Sequence, residues 1–380
     1  MVSLGIATLI YLVTGVISAI IILISVWSSR RGRKPLNKPL EKPVHLPVQV
    51  PKGEKAVEKE RKVVEVKPHI TPSLDVISSL RGVRLEDLAL GYGCSGSKYF
   101  ESSFSSSVAP VGFEGRWICC LLGCGGWGCA YKCEKDGRTV VFKVPRGYEW
   151  LVEGGQGFTV IPRIIEDVVG EARVLVKLDH PHILKLLGYS EKLPLLVYEY
   201  ADYGSLEWQL SHGWSLSLKD VVLIGVQLAD ALRYIHSRGL VHCDIKAGNV
   251  FFARGVVKLG DFSSIVKLLS MTSSHSRFAY TIGWRAPEQV YHDLRRESKR
   301  YGLENRIDIY QLGNLLLYML VRKTIDGEDA VDETGVEELL SKVDHVELRN
   351  VLKQAMKYHP WERPSADEIE KQLANIYAKL

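Results

Sequence analysis

At 380 residues with 46% hydrophobic side chains, the chain carries enough apolar material to bury a sizeable core, which excludes a wholly disordered protein. Its formal net charge of +5 is confined to one stretch, since residues 30–67 hold twelve basic and five acidic side chains. A nucleic-acid binder would spread its basic charge over a folded surface, so that class is set aside. A basic block directly after an apolar segment points instead to an anionic membrane surface.

That apolar segment comes first. From Leu4 to Trp27 no residue is charged. As a helix it would reach roughly 36 Å against a hydrocarbon core of ~30 Å. Arg30, Arg31, Arg33 and Lys34 follow at once and nothing basic precedes. The positive-inside rule therefore puts the carboxyl side in the cytoplasm, anchored in the cell membrane by a single pass through lipid. A cleaved signal peptide would carry its charge ahead of a shorter apolar stretch. With so little ahead of the span, no extracellular sensor is expected.

Residues 28–112 read as a basic, Pro-rich juxtamembrane linker. Pro35, Pro39, Pro43, Pro47 and Pro51 recur every four residues and favour an extended spacer. The charged run Lys52–Lys67 reads as a solvated helix or tether, residues 75–90 as a short helix, and Ser/Gly-rich residues 91–107 as loop.

Five of the seven cysteines, Cys119, Cys120, Cys124, Cys129 and Cys133, fall within fifteen residues. They lack a paired C-x-x-C spacing and a nearby histidine, which argues against zinc. They read as small apolar strand residues. A disulfide between two of them stays open for a heat-adapted cytosol, to which the low counts of Gln, Asn and Met point.

Gly123, Gly125 and Gly128 then form a G-x-G-x-x-G pattern between two strand-like stretches, Trp117–Leu122 and Cys129–Cys133. Strands on both sides suit a hairpin over phosphates rather than a dinucleotide fold. The alternating Val140–Val144 reads as a strand presenting Lys143. Glu171 opens a helical stretch ending at His180-Pro181, and Leu184 and Leu186 begin another strand. His242, Asp244, Lys246 and Asn249 follow in VHCDIKAGNV, then Asp261-Phe262-Ser263, Ala286-Pro287-Glu288, Asp308 and Gly313 in DIYQLG, and Arg363 in WERP.

This order of motifs resembles the eukaryotic-like Ser/Thr protein kinase family over about 70% of the chain. The resemblance implies an α+β, bilobal protein-kinase-like fold over residues 113–380, with a small antiparallel lobe near 113–200 carrying one helix and a helical lobe near 203–380. One transmembrane helix would precede it. It implies ATP as phosphate donor and Mg²⁺ or Mn²⁺ held by Asn249 and Asp261. Asp244 would accept the proton of the acceptor hydroxyl, Lys246 would stabilise the transferred group, and Lys143 paired with Glu171 would hold the α- and β-phosphates. Adenine would lie among Ala130, Val141 and Phe251, with Glu199 and Ala201 on the hinge and Tyr198 at the gatekeeper position. Leu175, Leu186, His242 and Phe262 map to the hydrophobic spine, with Asp308 as its anchor. Lys246 and Thr281 resemble the Ser/Thr-directed members, so the implied partners are cytoplasmic protein substrates and the kinase itself.

Three positions depart from the family. Cys243 stands where an arginine normally meets an activation-segment phosphate, so phosphorylation there is not expected to be the principal switch. Ser263 replaces a glycine at a cost in backbone freedom, and Val141 replaces an alanine against the purine. The roughly ten extra residues between Lys143 and Glu171, with Gly154, Gly155 and Gly157, read as a loop. Apolar Ile309–Val321 is too short to span a membrane and reads as a buried helix, and Ser365–Glu368 as a capping box. Two rival readings remain at this point: a pseudokinase scaffold and a kinase of small molecules.

Overall fold

The computed structural model describes residues 93–94, 99–107, 109–126, 128–154, 160–265 and 280–380. The expected span Leu4–Trp27, the Pro-rich spacer and the helix at 75–90 lie outside the described residues. Among the described residues, no helix is long and apolar enough to cross a membrane.

The small lobe is a six-stranded antiparallel sheet. Its strands are β1 (Phe100–Phe104), β2 (Gly115–Cys124), β3 (Gly128–Lys135), β4 (Arg138–Pro145), β5 (Leu186–Tyr189) and β6 (Leu196–Glu199), in the spatial order β1-β2-β3-β4-β6-β5. Alternation decides which side chains enter the core. Along β4, Val140, Phe142 and Val144 are buried, and Phe142 meets Phe104 edge-on at 5.1 Å and Trp117 at 5.3 Å.

Strand β1 corrects the expectation of a loop through residue 107. FESSF pairs with β2 from Phe100↔Cys119 to Phe104↔Gly115, burying Ser102 and Phe104. Its serines hide a period-2 pattern in which the buried Ser102 hydroxyl bonds the Val152 carbonyl. The folded region thus begins before residue 113.

Between β4 and β5 the loop expected around Gly154, Gly155 and Gly157 lies mostly outside the described residues, and the helices on either side of it differ from expectation. A short helix, α1 (Trp150–Glu153), buries Val152, and Tyr131 donates to Glu153 at 2.8 Å. The next helix, α2 (Pro162–Leu175), starts nine residues before Glu171 and ends well before His180. Pro162 sits at its first position, where no N–H is needed, and Val168, Val169, Ala172 and Leu175 form its buried face.

The large lobe contains α3 (Leu206–Ser211), α4 (Leu218–His236), the β7–β8 hairpin (Val250–Ala253, Val256–Leu259), α5 (Pro287–Val290), α6 (His292–Arg300), α7 (Arg306–Val321), α8 (Glu333–Leu340), α9 (Val346–Ala355) and α10 (Ala366–Tyr377). Helix α7 is buried along most of its length, as its apolar run implied. Gly225 suits the close approach of α4, since a Cβ there would crowd the side-chain ends of Leu316 on α7 and Leu373 on α10 at 3.0 Å. Ser365 and Glu368 cap α10 reciprocally.

A buried ion pair ties the segment after the activation loop to the far end of the lobe. Arg363 donates to Glu288 at 2.6 and 2.9 Å, and both side chains are essentially inaccessible. Three backbone carbonyls, of Lys357, Arg306 and Tyr358, take its remaining donors. Removing one partner leaves the other charge buried, so Arg363→Ala should cost about 3–5 kcal/mol. Thermal unfolding should then fall by roughly 6–20 °C. A drop of less than about 2 °C would show that the carboxylate finds another partner.

Candidate active site

The cleft between the lobes, a cavity of about 340 Å³, is where the motifs converge. Its roof is the β2–β3 hairpin. Gly125 N–H donates to Gly128 O at 2.8 Å to close the turn. A Cβ on Gly128 would fall 2.2 Å from the Val144 carbonyl, so only glycine lets β3 lie this close to β4 there. At Gly123, Gly125 and Gly126 a Cβ would meet no atom within 4 Å, which leaves backbone open to a ligand.

Every residue expected to contact nucleotide lines this cleft: Gly123, Gly125, Gly128, Ala130, Val141, Lys143, Glu199, Ala201 and Phe251, with Asn249, Asp261 and Lys246. Sequence reasoning gave no role to Leu122, Leu184, Tyr200 or Glu207, although Leu122 borders the glycine motif and Tyr200 lies between the hinge residues Glu199 and Ala201. Glu199 turns its carboxylate away to accept from Lys185 N–H (2.8 Å) and Lys258 (2.9 Å), so its backbone serves the cleft.

Lys143 crosses from β4 to Asp261, with Nζ 2.8 Å from Oδ1. Burial opposes the ammonium, but the charges of Asp261 and then Glu171 outweigh it and raise the Lys143 pKa above its ordinary value. Burial also opposes ionisation of Asp261. The Lys143 charge and hydrogen bond and the Ser263 hydroxyl overcome it and hold the carboxyl below the usual carboxylate range. Glu171 is nearly buried and accepts from the Tyr198 hydroxyl at 3.4 Å. Burial, then the charges of Glu171 and Asp261, pushes that phenol well up.

The departures from the family take concrete form here. Asp261 itself holds the left-handed backbone, at φ 56°, whereas Ser263 does not. The expected backbone cost of a serine is therefore absent, and its hydroxyl supports Asp261 instead. Phe262 is fully buried and packs edge-on to His242 at 4.8 Å, and it joins Leu175 and Leu186 in one core. Cys243 is a buried thiol that presents no cation, and burial raises its pKa well above the ordinary value.

The floor is a triangle of hydrogen bonds. Lys246 Nζ reaches Asp244 Oδ2 at 2.7 Å and Thr281 Oγ1 at 2.6 Å, while the Thr281 hydroxyl donates to Asp244 Oδ1 at 2.9 Å. Asn249 commits its amide nitrogen to Asp244 O (2.8 Å) and Oδ2 (3.1 Å) and would meet a cation through its amide oxygen. That oxygen and the Asp261 carboxylate are the hard donors that Mg²⁺ or Mn²⁺ accepts alongside phosphate.

The cysteine cluster forms disulfides, correcting the reading of plain apolar residues. Cys119–Cys133 and Cys124–Cys129 join directly opposed residues of β2 and β3, each with Cα atoms 4.1 Å apart, and Cys94–Cys120 ties the preceding segment to β2. Cross-strand register, invisible in spacing alone, sets the first two.

The Lys143–Asp261 pair fixes a pH window. Asp261 contributes stability above the ordinary carboxylate value near 3.9, lost only as pH falls through its depressed folded value. Lys143 contributes below about 10.4, lost only as pH rises through its raised value. Between about pH 7 and 9.5, above phosphate titration, binding of a fluorescent ATP analogue should show no step. A step in that range that disappears in Asp261→Asn would refute the assignment.

Residues 119–373 match the protein kinase domain family. The chain is 27% identical over 254 residues to the serine/threonine-protein kinase PLK4 of Nematostella vectensis, covering 64% of this chain and 24% of that protein. It is 29% identical over 222 residues to the serine/threonine-protein kinase 10 of Mus musculus, covering 54% of this chain and 22% of that one. The chain thus spans about a quarter of the length of these relatives. The fold is shared with Rad53 in complex with AMP-PNP, at a TM-score of 0.51 and 21% identity, over 70% of this chain and 65% of that one. With its motifs gathered in one cleft and its family match covering most of its length, the chain belongs to the protein kinase family and is similar to its Ser/Thr members.

Proposed function

We propose that the protein is a membrane-anchored Ser/Thr kinase that transfers the γ-phosphate of ATP to hydroxyls of cytoplasmic proteins, itself among them. The observation that carries this reading is the Asp244–Lys246–Thr281 triangle below a cleft lined by Lys143, Asn249 and Asp261. Each charged group that phosphoryl transfer needs is present.

Adenine sits between Ala130 and Val141 above and Phe251 below, with the phosphates under the glycine hairpin. Lys143 holds the α- and β-phosphates and is itself held by Asp261. Asn249 and Asp261 would hold Mg²⁺, which would supply positive charge to the phosphates. Asp244 orients the acceptor hydroxyl and takes its proton as the new O–P bond forms and the bond from Pγ to the β-phosphate oxygen breaks, releasing ADP. Lys246 offsets charge on the transferred group. Thr281 bridges base and lysine, fixing both in one geometry.

Transfer of labelled γ-phosphate to Ser/Thr of generic acceptor proteins should be lost by about 10²–10⁴-fold in Asp244→Asn. Equal activity in the variant would remove Asp244 from its role, and no transfer by a nucleotide-binding wild type would favour a scaffold.

The anchor rests on the uncharged Leu4–Trp27 run and the basic residues after it. The absence of a cation at Cys243 supports activity that does not depend on an activation-segment phosphate. Full-length protein should sediment with membranes through a salt wash and be released by detergent. Recovery in the soluble fraction after lysis would overturn the anchor.

A further inference from the structure

The two disulfides that cross the β2–β3 hairpin lie in different surroundings. Cys119 and Cys133 are both inaccessible and sit within the aromatic core of the small lobe. Cys129 is also buried, but its partner Cys124 is exposed beside the turn. A thiol in solution can therefore reach one bridge without unfolding the lobe, and not the other.

Cys124 and Cys129 are also the last opposed pair before the turn Gly125–Gly128. The described residues of that turn have few other restraints. Gly123, Gly125 and Gly126 have no packing where a side chain would be. Among its described residues, the turn is held by Gly125 N–H donating to Gly128 O and Arg146 Nε donating to Gly125 O at 3.0 Å. Glycine backbone loses the most entropy on ordering, so a covalent link at the mouth of this loop removes freedom that nucleotide binding would otherwise have to remove.

We propose that Cys124–Cys129 is a thiol–disulfide exchange site at which a dithiol reductant loosens the phosphate-binding hairpin and weakens nucleotide binding. This rests on the nucleotide-binding reading of the cleft. The reductant's thiolate attacks the exposed Cys124 sulfur, the Cys124–Cys129 bond breaks, and Cys129 leaves as a thiolate that takes up a proton. The reductant's second thiol then resolves the mixed disulfide, freeing Cys124 as a thiol and leaving the reductant oxidised. Two electrons and two protons pass to the protein. Glu149 Oε1, 3.4 Å from Cys129 Sγ, is placed to accept the hydrogen bond of the new thiol.

The test uses full-length protein purified in detergent without reductant and exposed to a graded series of dithiothreitol. At each step free thiols are alkylated and mapped by mass spectrometry, and the Kd of a fluorescent ATP analogue is measured on the same sample. Cys124 and Cys129 should be alkylated at reductant concentrations that leave Cys119, Cys133 and buried Cys243 untouched. Over that range Kd should rise about 3- to 10-fold and recover on reoxidation. A Cys124→Ser/Cys129→Ser double variant should show the raised Kd without reductant and no further response, which separates this effect from opening of Cys94–Cys120.

Simultaneous reduction of Cys119–Cys133, or an unchanged Kd once Cys124 and Cys129 are alkylated, would overturn the proposal without any variant needing to fold. Nucleotide binding that ignores redox state sinks this inference alone. Absence of binding in both states sinks the kinase reading with it.

Discussion

A buried carboxylate must collect hydrogen bonds to offset its desolvation, and Asp308 collects them from the catalytic loop. Fully inaccessible on α7, it accepts from the backbone N–H groups of His242 (2.9 Å) and Cys243 (2.8 Å) and lies 2.8 Å from His236 Nε2 on α4. Those contacts hold Cys243 in a left-handed conformation, φ 67°, that a non-glycine residue adopts only when its surroundings compel it. Gln289 and Gln311 complete the clamp by donating to the Cys243 carbonyl. Asp244, one residue on, inherits its position from this clamp, and through it so do Lys246, Asn249 and Thr281.

The upper half of the site depends on a different constraint. Lys143 and Asp261 belong to opposite lobes, and each overcomes its own burial mainly through the other's charge, with Glu171 adding to the first and Ser263 to the second. Ser263 adds a hydroxyl to that balance at no backbone cost, since the left-handed residue is Asp261. The substitution thus strengthens the carboxylate it adjoins. Val141 lies in the cleft lining with Ala130 and Phe251.

Much of this was legible in the sequence because phosphoryl transfer fixes charged groups at set offsets. Lys143, Asp244, Asn249 and Asp261 stand in contiguous motifs, and the structure brings them to one cleft. The helix carrying Glu171 was placed too late because its first turns hold exposed Arg163, Glu166 and Asp167, which mask the buried stripe beyond them. Strand β1 escaped notice because two of its three inward or edge positions are flanked by serine, a residue whose composition signals loop. Tyr200 lies between the two hinge residues named from sequence, whereas Glu207 reaches the cleft lining from the first turn of α3, which no local pattern records. The disulfides depended on strand register, a property of two segments together.

The Cys94–Cys120 bridge has a mechanical consequence. It joins the chain ahead of the domain to the middle of β2, so a pull arriving from the amino-terminal side is delivered through sulfur into the sheet interior. Strand β1 and everything between residues 94 and 120 form a closed covalent loop that carries none of that load. Tension would be shared by the ladder of β2 with β3 and would act in shear along strands that two further covalent bonds already join. The segment ahead of β1 thereby stays fastened to β2 even where the β1 ladder opens.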